Sequence, residues 1–410
     1  MVAVIMAGGK GTRIRSINNE VPKPMIHICG KPILEHQIIR LKSNGIKNII
    51  IVSGYMGNVI KQYFGDGSKW DVSVSYIKED KPLGTAGALY LLKDIVKDDF
   101  LLVNGDIIFD INFERFYKFH KEKGGIATLF THPNSHPYDS SIIVYNKEMR
   151  ITKWYHKEDK HDDVKNCVNA GIHLFSTDIF ECFTELKNVD LDREILRPLI
   201  SKKYIYAYVS PEYVKDMGTP ERFYQTEQDI NSGIVEKKNL SYKQKAIFLD
   251  RDGTLNKYKG FITQADDIEL IEGVAEAVKL INKSGYLAII ITNQPVVARG
   301  ECTCNEIEII HNRLEGLLGK KGAYIDAVYY CPHHPDRGFA GEVEELKFEC
   351  ECRKPKPGLI YKAANDFNID ISESYMFGDN SIDIETGINA GCKRSFIVND
   401  NLYDLVRKIL

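Results

Sequence analysis

The 410-residue sequence has no long apolar run, no block of like charges and no internal repeat, and these absences narrow its class. No stretch approaches the roughly 20 apolar residues that span a bilayer, and the start lacks the charged and apolar regions of a signal peptide. We therefore expect a cytoplasmic protein without a membrane partner. The net charge is only −3 and basic residues alternate with acidic ones, so nucleic acid is not an expected partner.

Disulfides are also not indicated, because nine cysteines without a signal peptide are weak evidence for them. Six of the nine are expected to be ordinary thiols. Cys302 and Cys304 form a C-x-C pair with no second pair nearby, and the other four lie in apolar or mixed segments typical of buried thiols: Cys29, Cys167, Cys182 and Cys392.

The remaining cysteines lie in CPHHP and CECRKP. They form C-x-H and C-x-C pairs, which together supply the four ligands of a tetrahedral Zn²⁺ site: Cys331, His333, Cys350 and Cys352. His334 is an alternative to His333. A closed set of four ligands is structural, and we expect it to hold the loop that brings Arg353 and Lys354 to a substrate.

Both halves of the chain alternate between strand and helix patterns, which predicts parallel sheets covered by helices on both faces. The length exceeds one ordinary core, so we expect two Rossmann-like α/β domains. A polar, lysine-rich stretch at residues 231–245 marks the boundary. We predict a first domain over 1–233, a linker over 234–244 and a second domain over 245–410.

The first half opens with VAVIMAGGKGTRIR, where a buried strand leads into a glycine-rich turn. Gly8, Gly9 and Gly11 leave backbone N–H groups open to a triphosphate, and Arg13 adds a forked cation for its oxygens. Lys23 lies between two prolines in VPKPM, which restrict the local backbone and suit a cation aimed at one point.

Carboxylates and small residues complete this pattern. Asp106 ends the apolar run FLLVNGD and Asp216 lies in VKDMGTPERF, and two such carboxylates can hold one Mg²⁺ against a nucleoside triphosphate. The small residues of LGTAGA, Gly84 among them, permit close approach of a base or sugar. In VNAGIHLF, Asn169 and Gly171 are candidates for contacts with sugar hydroxyls.

In this order AGGKGTR, PKPM, LGTAGA, NGD, NAG and DMGTPE resemble the sugar-1-phosphate nucleotidyltransferases, and the opening is especially similar to heptose-1-phosphate guanylyltransferases. The resemblance covers roughly residues 1–230. It implies that a sugar phosphate attacks the α-phosphate of GTP and expels pyrophosphate, with Arg13 and Lys23 neutralising charge and Mg²⁺ on Asp106 and Asp216. The AGGKGTR and LGTAGA segments would bind the nucleotide through Gly8, Gly9, Gly11, Thr12 and Gly84. Lys157, in WYHKED where the family usually has Glu-Lys, would bind the sugar's phosphate.

The second half opens with IFLDRDGTLN, a strand followed by two aspartates. Asp250 and Asp252 point differently, so one can attack phosphorus while the other handles a proton. Thr292 ends the strand LAIIIT, Lys354 lies in CRKPKPG and Asp379 in MFGDNSID. They supply a hydroxyl and a cation for phosphate and a further carboxylate for Mg²⁺.

This set resembles the haloacid dehalogenase superfamily of phosphatases over roughly residues 244–410. The resemblance implies an aspartyl-phosphate on Asp250, acid and base catalysis by Asp252, and Mg²⁺ on Asp250, the Asp252 carbonyl and Asp379. Residues after the strands would bind substrate: Thr292, Asn293, Arg299, Arg353 and Lys354. In the loop after TNQ the family commonly has Ser-Gly-Ile-Ala-Arg-Gly, whereas this chain has PVVARG.

The predicted Zn²⁺ site in CPHHP and CECRKP narrows the resemblance to two kinds of phosphatase, the heptose-1,7-bisphosphate 7-phosphatases and the histidinol-phosphate phosphatases. The attached transferase favours the heptose bisphosphatase. The two resemblances together imply a bifunctional enzyme that makes GDP-heptose for surface polysaccharide or glycoprotein, and we expect it to use the α-anomer. The alternatives are a transferase for mannose or glucose 1-phosphate, a histidinol-phosphate-type phosphatase, and an N-terminal half that only senses nucleotide. The sequence leaves a homo-oligomer open.

Overall fold

The computed structural model describes residues 1–9, 14, 16–18, 20–160, 163–202, 204–399 and 401–410. The chain divides into two compact units, each assembled from separate segments. The first unit comprises residues 1–131, 143–154 and 169–239, and the second comprises 132–142, 155–168 and 240–410. Both have alternating strands and helices, which confirms the predicted α/β class.

The first unit is built on a large mixed sheet with the order β10-β9-β11-β6-β1-β4-β5, and β8 joins β11 to β12. Its strands are β1 (Val2–Met6), β2 (His27–Ile28), β3 (Lys31–Pro32), β4 (Asn48–Ser53), β5 (Ser73–Lys78), β6 (Phe100–Asn104), β7 (Ile107–Asp110), β8 (Ala127–His132), β9 (Ile142–Tyr145), β10 (Ile151–Tyr155), β11 (Val168–Phe175), β12 (Ile205–Val209) and β13 (Tyr213–Asp216). Its helices are α1 (Ile33–Ser43), α2 (Gly57–Phe64), α3 (Phe113–Lys123), α4 (Arg197–Leu199), α5 (Pro220–Asn231) and α6 (Ile234–Lys237).

The sequence pattern predicts a parallel sheet, but this sheet is mixed. Strands β1, β4, β5 and β6 are parallel neighbours, but β11 runs antiparallel to β6. Between β6 and β11 the chain passes through β7, α3, β8, β9 and β10, so these neighbours are not joined by the single crossover helix that usually connects parallel strands. Apolar side chains from β1, β4 and β6 pack against α1 and α2 to form the main core of this unit.

The second unit contains a parallel sheet with the order β16-β15-β14-β17-β18. Its strands are β14 (Lys245–Leu249), β15 (Tyr286–Asn293), β16 (Ala327–Cys331), β17 (Tyr375–Gly378) and β18 (Arg394–Ile397). Its helices are α7 (Val274–Ser284), α8 (Cys304–Lys320), α9 (Gly358–Phe367), α10 (Ser381–Ala390) and α11 (Leu402–Arg407). Separate apolar clusters cover the two faces of this sheet, because alternate side chains of a strand point to opposite faces.

The stretch predicted as a linker contains ordered structure. Val235, in α6, is 2% exposed and packs in the first unit, whereas Leu240 is 4% exposed and packs in the second. The second unit accordingly resumes at Leu240, within the residues assigned to the linker. The polar composition of this stretch conceals the few apolar side chains that anchor it.

Candidate active sites

The carboxyl ends of β1 and β6 form the edge of the first candidate site, as expected for neighbouring parallel strands. Gly8 lies in the turn after β1, and a Cβ at this position would collide with the carboxylate of Glu79. A larger residue at Gly8 would therefore displace the Glu79 carboxylate, while Gly9 faces open space. The other predicted phosphate-binding residues of this turn lie outside the described residues: Gly11, Thr12 and Arg13.

Lys23 and two aspartates meet at this edge. Lys23 begins a short 3₁₀ turn, Lys23–Met25, and its Nζ lies 2.5 Å from Oδ2 of Asp106. Asp106 lies between β6 and β7, and β7 pairs antiparallel with β13, which ends at Asp216. The backbone N–H of Met217 donates to the Asp106 carbonyl at 2.8 Å. The structure thus brings the predicted cation and both predicted carboxylates to one place.

Arg222 is a residue of this site that the sequence analysis missed. Its Nη1 donates to both carboxylate oxygens of Asp216, at 2.8 and 2.6 Å. Burial raises the pKa of Asp216, but the charge and hydrogen bonds of Arg222, with help from Lys23, outweigh burial and lower it. The signal was present in GTPER: Thr219 caps α5 and accepts from the Arg222 backbone, so Arg222 lies on the first turn, close to Asp216.

Asn169 and Gly171 lie at the start of β11. Gly171 has φ +73°, and a Cβ there would collide with the side-chain amide of Asn104 at the end of β6. At Gly84 (φ +76°) the space of a side chain is taken by the backbone of Val189, so packing alone requires glycine there. Its predicted nucleotide contact stays a prediction. So does the role of Lys157, which is exposed and belongs to a segment of the second unit.

The second candidate site lies at the carboxyl ends of β14 and β17. Asp250 follows β14, and its backbone N–H donates to the carbonyl of Phe377. The Nζ of Lys354 lies 2.5 Å from Asp250 Oδ1 and 2.6 Å from Asp383 Oδ1. All three side chains are buried. Because a buried charge is costly unless it is paired, this cation and its two carboxylates depend on one another.

The electrostatics of this triad follow from burial and mutual charge. Burial raises the pKa of Asp250 to about 6, with Asp383 and Asp252 adding to the rise and Lys354 opposing it. For Lys354, burial acts to lower the pKa, but the two carboxylates outweigh it and raise the pKa above its ordinary value. Lys354 therefore remains a cation beside the carboxylate predicted to attack phosphorus.

Asp383 was also missed from the sequence. Asn380 caps α10, and Asp383, at the third position of that helix, accepts a hydrogen bond from the Asn380 backbone N–H. This capping arrangement turns the Asp383 carboxylate back toward the strand ends. In the sequence it would have been visible as the Asn-x-x-Asp spacing in GDNSID.

Asp252 is held by several donors. Arg251, whose side chain is fully buried, donates from Nε and Nη2 to the two carboxylate oxygens at 3.1 and 2.7 Å. Gln294 Nε2 and Asn256 Nδ2 donate to the same carboxylate at 2.9 and 3.0 Å. The predicted proton-transfer residue thus has a defined orientation, supplied largely by Arg251 and Gln294, neither of which the sequence analysis assigned.

The remaining predicted residues of this site have separate surroundings. Thr292 is buried and accepts from Gln294, and Asn293 bonds through its amide to the backbone of Lys354. Burial, and next the charge of Asp250, raises the pKa of Asp379. A Cβ on Gly253 (φ +84°) would collide with Asp379, so this glycine lets the carboxylate approach the DRDGT turn.

A cluster of three thiols and one imidazole lies beyond β16. Ligand atoms of Cys331, His333, Cys350 and Cys352 all fall within 4.8 Å of one another. The sulfur–sulfur distances are 3.2 to 3.5 Å, and His333 Nδ1 lies 3.2 Å from the Cys352 sulfur. His334 instead accepts from the Asp336 backbone through Nδ1, so the structure favours His333 for the cluster. Hydrogen bonding from Cys331 is the largest effect that lowers the pKa of Cys352, to about 5.

Two arginines flank this cluster and the loop after β15. Arg353 directly follows Cys352, and its Nη1 donates to the carbonyl of His333 at 3.2 Å. The Arg299 guanidinium lies 4.3 Å from the ring centre of Phe261 and 4.5 Å from that of Phe339. Stacking on aromatic rings restricts a guanidinium while leaving its edge available to an anion.

The two units thus present different phosphate chemistry at the carboxyl ends of their strands, and together they define an enzyme with two phosphoryl-handling sites. Comparison with known proteins agrees. Residues 2–233 match the family described as Nucleotidyl transferase, and residues 209–391 match the family described as haloacid dehalogenase-like hydrolase. The chain belongs to both families and is an enzyme with a transferase part and a phosphatase part.

Relatives match the two parts separately. A mannose-1-phosphate guanylyltransferase of Mycobacterium tuberculosis is 31% identical over 236 residues, covering 57% of this chain and 65% of that protein. The chain therefore spans just under two thirds of that relative. A D-glycero-beta-D-manno-heptose-1,7-bisphosphate 7-phosphatase of Escherichia coli is 39% identical over 150 residues, covering 36% of this chain and 76% of that protein.

Solved structures match the first part. A putative glucose-1-phosphate thymidylyltransferase of Bacillus anthracis has a TM-score of 0.50 and 22% identity, covering 56% of this chain and 94% of that one. HddC of Yersinia pseudotuberculosis has a TM-score of 0.49 and 24% identity, covering 56% and 99%. The thymidylyltransferase supports the fold of the first part. In the described residues no helix has the length and apolar character needed to cross a membrane.

Proposed function

We propose that the chain catalyses two successive steps in the synthesis of GDP-heptose. The second part removes the 7-phosphate of D-glycero-α-D-manno-heptose 1,7-bisphosphate, and the first joins heptose 1-phosphate to GTP with release of pyrophosphate. The observation that carries this is the union, in one chain, of a part 39% identical to a heptose bisphosphatase with a part 31% identical to a guanylyltransferase. The heptose 1-phosphate that the second part releases is the substrate of the first part.

In the phosphatase step Asp250 attacks the 7-phosphorus, and the heptose hydroxyl leaves as Asp252 gives it a proton. Water then attacks the aspartyl-phosphate, with Asp252 accepting its proton and Asp250 as the leaving group. Lys354, 2.5 Å from Asp250, neutralises the phosphoryl oxygens, and Thr292 is a candidate donor to one of them. Arg299 and Arg353 are proposed to bind the phosphate that stays on the sugar.

In the transferase step an oxygen of heptose 1-phosphate attacks the α-phosphorus of GTP, and the bond to the pyrophosphate leaving group breaks. Lys23 is the cation in the described residues that approaches Asp106, and Arg13 is proposed to act with it on the growing charge. Asn169 and Gly171 would contact the sugar, and Lys157 its phosphate. Gly8, Gly9, Gly11, Thr12 and Gly84 are proposed to face the nucleotide.

The residues present fit Mg²⁺ at both sites. Asp250, Asp379 and Asp383 offer carboxylate oxygens within 4.8 Å of one another, and burial, followed by the charge of Asp250, raises the pKa of Asp379. We assign Mg²⁺ to Asp250, the Asp252 carbonyl and Asp379, and in the transferase to Asp106 and Asp216. When bound, this ion would supply positive charge to phosphate oxygens.

Three thiols and an imidazole fit Zn²⁺. Around a zinc ion with bonds of about 2.3 Å, tetrahedral sulfur atoms lie about 3.8 Å apart. The sulfur atoms of the cluster lie 3.2 to 3.5 Å apart, so a small outward movement would accommodate the ion. We assign Zn²⁺ to Cys331, His333, Cys350 and Cys352, where it would hold the loop carrying Arg353 and Lys354. GTP and heptose phosphates are the proposed partners, the cytoplasm the proposed location, and lipopolysaccharide, capsule or S-layer glycan the proposed destination.

The direct test is phosphorus NMR on the intact chain with Mg²⁺, GTP and heptose 1,7-bisphosphate. GDP-heptose with both phosphate and pyrophosphate is the expected result. Both anomers are compared, because the 7-phosphatase relatives are named for the β-anomer whereas the fused guanylyltransferase favours the α-anomer. Phosphate without GDP-sugar would reject the pairing of GTP with heptose 1-phosphate, and no phosphate would reject the heptose bisphosphate.

The same test is extended to the alternative substrates. Mannose 1-phosphate and glucose 1-phosphate, each offered with GTP, UTP and dTTP, test a transferase for another sugar. Histidinol phosphate tests the other phosphatase type. If nucleotides change the phosphatase rate but no sugar is ever transferred, the first part is a nucleotide sensor and the proposed transfer is wrong.

Replacing Arg222 with alanine should weaken transfer about 10- to 100-fold, because residues that orient metal-binding carboxylates have effects of this size. Without Arg222, Asp216 loses its bidentate partner and its pKa rises. The loss should appear as a higher Mg²⁺ concentration for half-maximal pyrophosphate release. Arg222→Lys should recover part of it, and the phosphatase rate should not change. An unaltered Mg²⁺ dependence would contradict this role of Arg222.

Replacing Cys350 with serine should remove zinc and lower the phosphatase rate at least about 10-fold, because a structural metal site contributes directly to local folding. Metal content by mass spectrometry and phosphate release are measured together. Cys392→Ser is the matched control, since Cys392 is a free thiol of the same unit outside the cluster. Equal zinc in the two variants would reject the site. Transfer from heptose 1-phosphate should survive in both.

A further inference from the structure

Asp192 lies beside Asn169, a residue of the first candidate site, and the proposed mechanism gives it no role. It lies in a π-helical turn, Leu191–Leu196, that follows a loop packed on the LGTAGA segment. Such turns are rare and often occur at functional sites. Its position beside Asn169, a residue already assigned to the sugar, makes it the strongest unassigned group of this site.

The loop before Asp192 is held firmly in place. Val189 donates to the carbonyl of Leu83 at 2.9 Å and accepts from the backbone of Ala86 at 3.0 Å. The backbone N–H of Leu191 donates to the Thr85 hydroxyl at 2.7 Å. The small residues of LGTAGA thus allow a second backbone to lie against them, and this contact fixes the start of the turn that carries Asp192.

Asn169 has a defined orientation beside Asp192. Its Oδ1 accepts from the backbone N–H of Gly171 at 3.2 Å, so its Nδ2 faces the carboxylate. Nδ2 lies 3.4 Å from each oxygen of Asp192, which is long for a hydrogen bond to a charged acceptor. The amide therefore leaves the acceptor capacity of this carboxylate largely unused.

The neighbouring acids have structural roles. Asp190 caps the turn by accepting from the Arg193 backbone at 2.9 Å, and Glu194 accepts from the backbone of Asp190 at 2.8 Å. For Asp192 the described residues provide no hydrogen bond other than the two long ones from Asn169. Burial, with a contribution from Asp190, raises the pKa of Asp192 to about 7, as expected for a carboxylate short of donors.

We propose that Asp192 recognises the sugar ring of the sugar 1-phosphate, its carboxylate accepting hydrogen bonds from two neighbouring hydroxyl groups while Asn169 Nδ2 donates to one of them. A carboxylate has two oxygens that can each accept from one hydroxyl of a diol. Asp192 is then a specificity-determining residue of the transferase. The inference rests on the proposed transferase function, and it adds the group that reads the sugar.

The test compares Asp192→Asn with wild type in the full chain, by pyrophosphate release. The amide keeps the size of the side chain but replaces one acceptor with a donor. KM for the sugar 1-phosphate should rise about 10- to 100-fold, the usual loss for hydrogen bonds to a charged group, with KM for the nucleotide unchanged. Asp178→Asn, an exposed aspartate of the same unit, is the matched control, and an unchanged phosphatase rate reports an intact chain.

Deoxy analogues of the sugar 1-phosphate locate the contact. Wild type should bind the sugar 1-phosphate more weakly when one of the two hydroxyls is removed. Asp192→Asn should bind the deoxy sugar almost as well as it binds the full sugar. Equal KM values for Asp192→Asn and Asp178→Asn, or an equal loss on the deoxy sugar in wild type and Asp192→Asn, would overturn the inference.

The outcome is separable from that of the proposed function. If wild type rejects heptose 1-phosphate but uses mannose 1-phosphate, the same comparison proceeds with mannose, and only the heptose assignment falls. If no sugar is transferred, calorimetric titration with the sugar 1-phosphates decides. Weaker binding by Asp192→Asn supports the inference, equal binding overturns it, and no binding by wild type overturns both.

Discussion

Asp250→Asn should lower phosphate release from heptose 1,7-bisphosphate by roughly 10⁴- to 10⁶-fold, the range found when a covalent nucleophile is removed from an enzyme. The amide cannot form the aspartyl-phosphate. It also removes one of the two anionic partners of the buried Lys354, which keeps Asp383. Transfer from heptose 1-phosphate should continue at the wild-type rate, because the other site handles it.

This prediction is measured by phosphate release and by GDP-sugar formation in the same preparation. Asp266→Asn, an exposed aspartate of the same unit, should leave both rates unchanged. Circular dichroism of the purified variants checks that the charge change at a buried position has not unfolded the domain. Phosphate release by Asp250→Asn at a rate near that of wild type would mean that another group is the nucleophile.

Asp106→Asn should lower GDP-sugar formation about 10³-fold, comparable to the removal of one electrostatic contact to a transition state. The carboxylate is the partner of Lys23 and, in the proposed function, a ligand of Mg²⁺. Its loss leaves Lys23 without this nearby anion and removes a proposed ligand of the Mg²⁺ that would supply positive charge at the α-phosphate. Phosphatase activity should not change.

Pyrophosphate release at saturating GTP and Mg²⁺ measures this effect. Asp94→Asn, an exposed aspartate of the same unit, is the control for a general effect of lost charge. Should GDP-sugar still form at the wild-type rate in Asp106→Asn, the metal and catalytic assignment of this edge would be wrong. Should phosphate release fall as well, the two activities would not be independent.

The fold was largely predictable because local sequence patterns indicate the strands and helices of an α/β architecture. Apolar runs such as VAVIM and KAIFL become buried parallel strands, and the motifs that follow them lie at the strand ends. The antiparallel β11 was not predicted, because the pattern of a buried strand does not state its direction. Its direction depends on the path of the chain between β6 and β11, which passes through several strands as well as α3.

Within the candidate sites, the sequence pointed to residues next to strand ends and passed over residues on helices. Lys23, Asp250 and Lys354 follow turns or prolines with a recognisable sequence. Asp383 and Arg222 lie on the first turns of helices, where their sequence signal is that of an ordinary capped helix. Only the tertiary structure brings Asp383 to Lys354 and Arg222 to Asp216.

By itself the sequence determined which reactive groups this protein has: two sets of carboxylates and cations next to strand ends, and three thiols with an imidazole in two short motifs. The tertiary structure decided which groups act together. It placed Lys354 between Asp250 and Asp383, and Asp192 beside Asn169. The physical reason is that charge pairing and desolvation depend on distance through space, which separation along the chain does not specify.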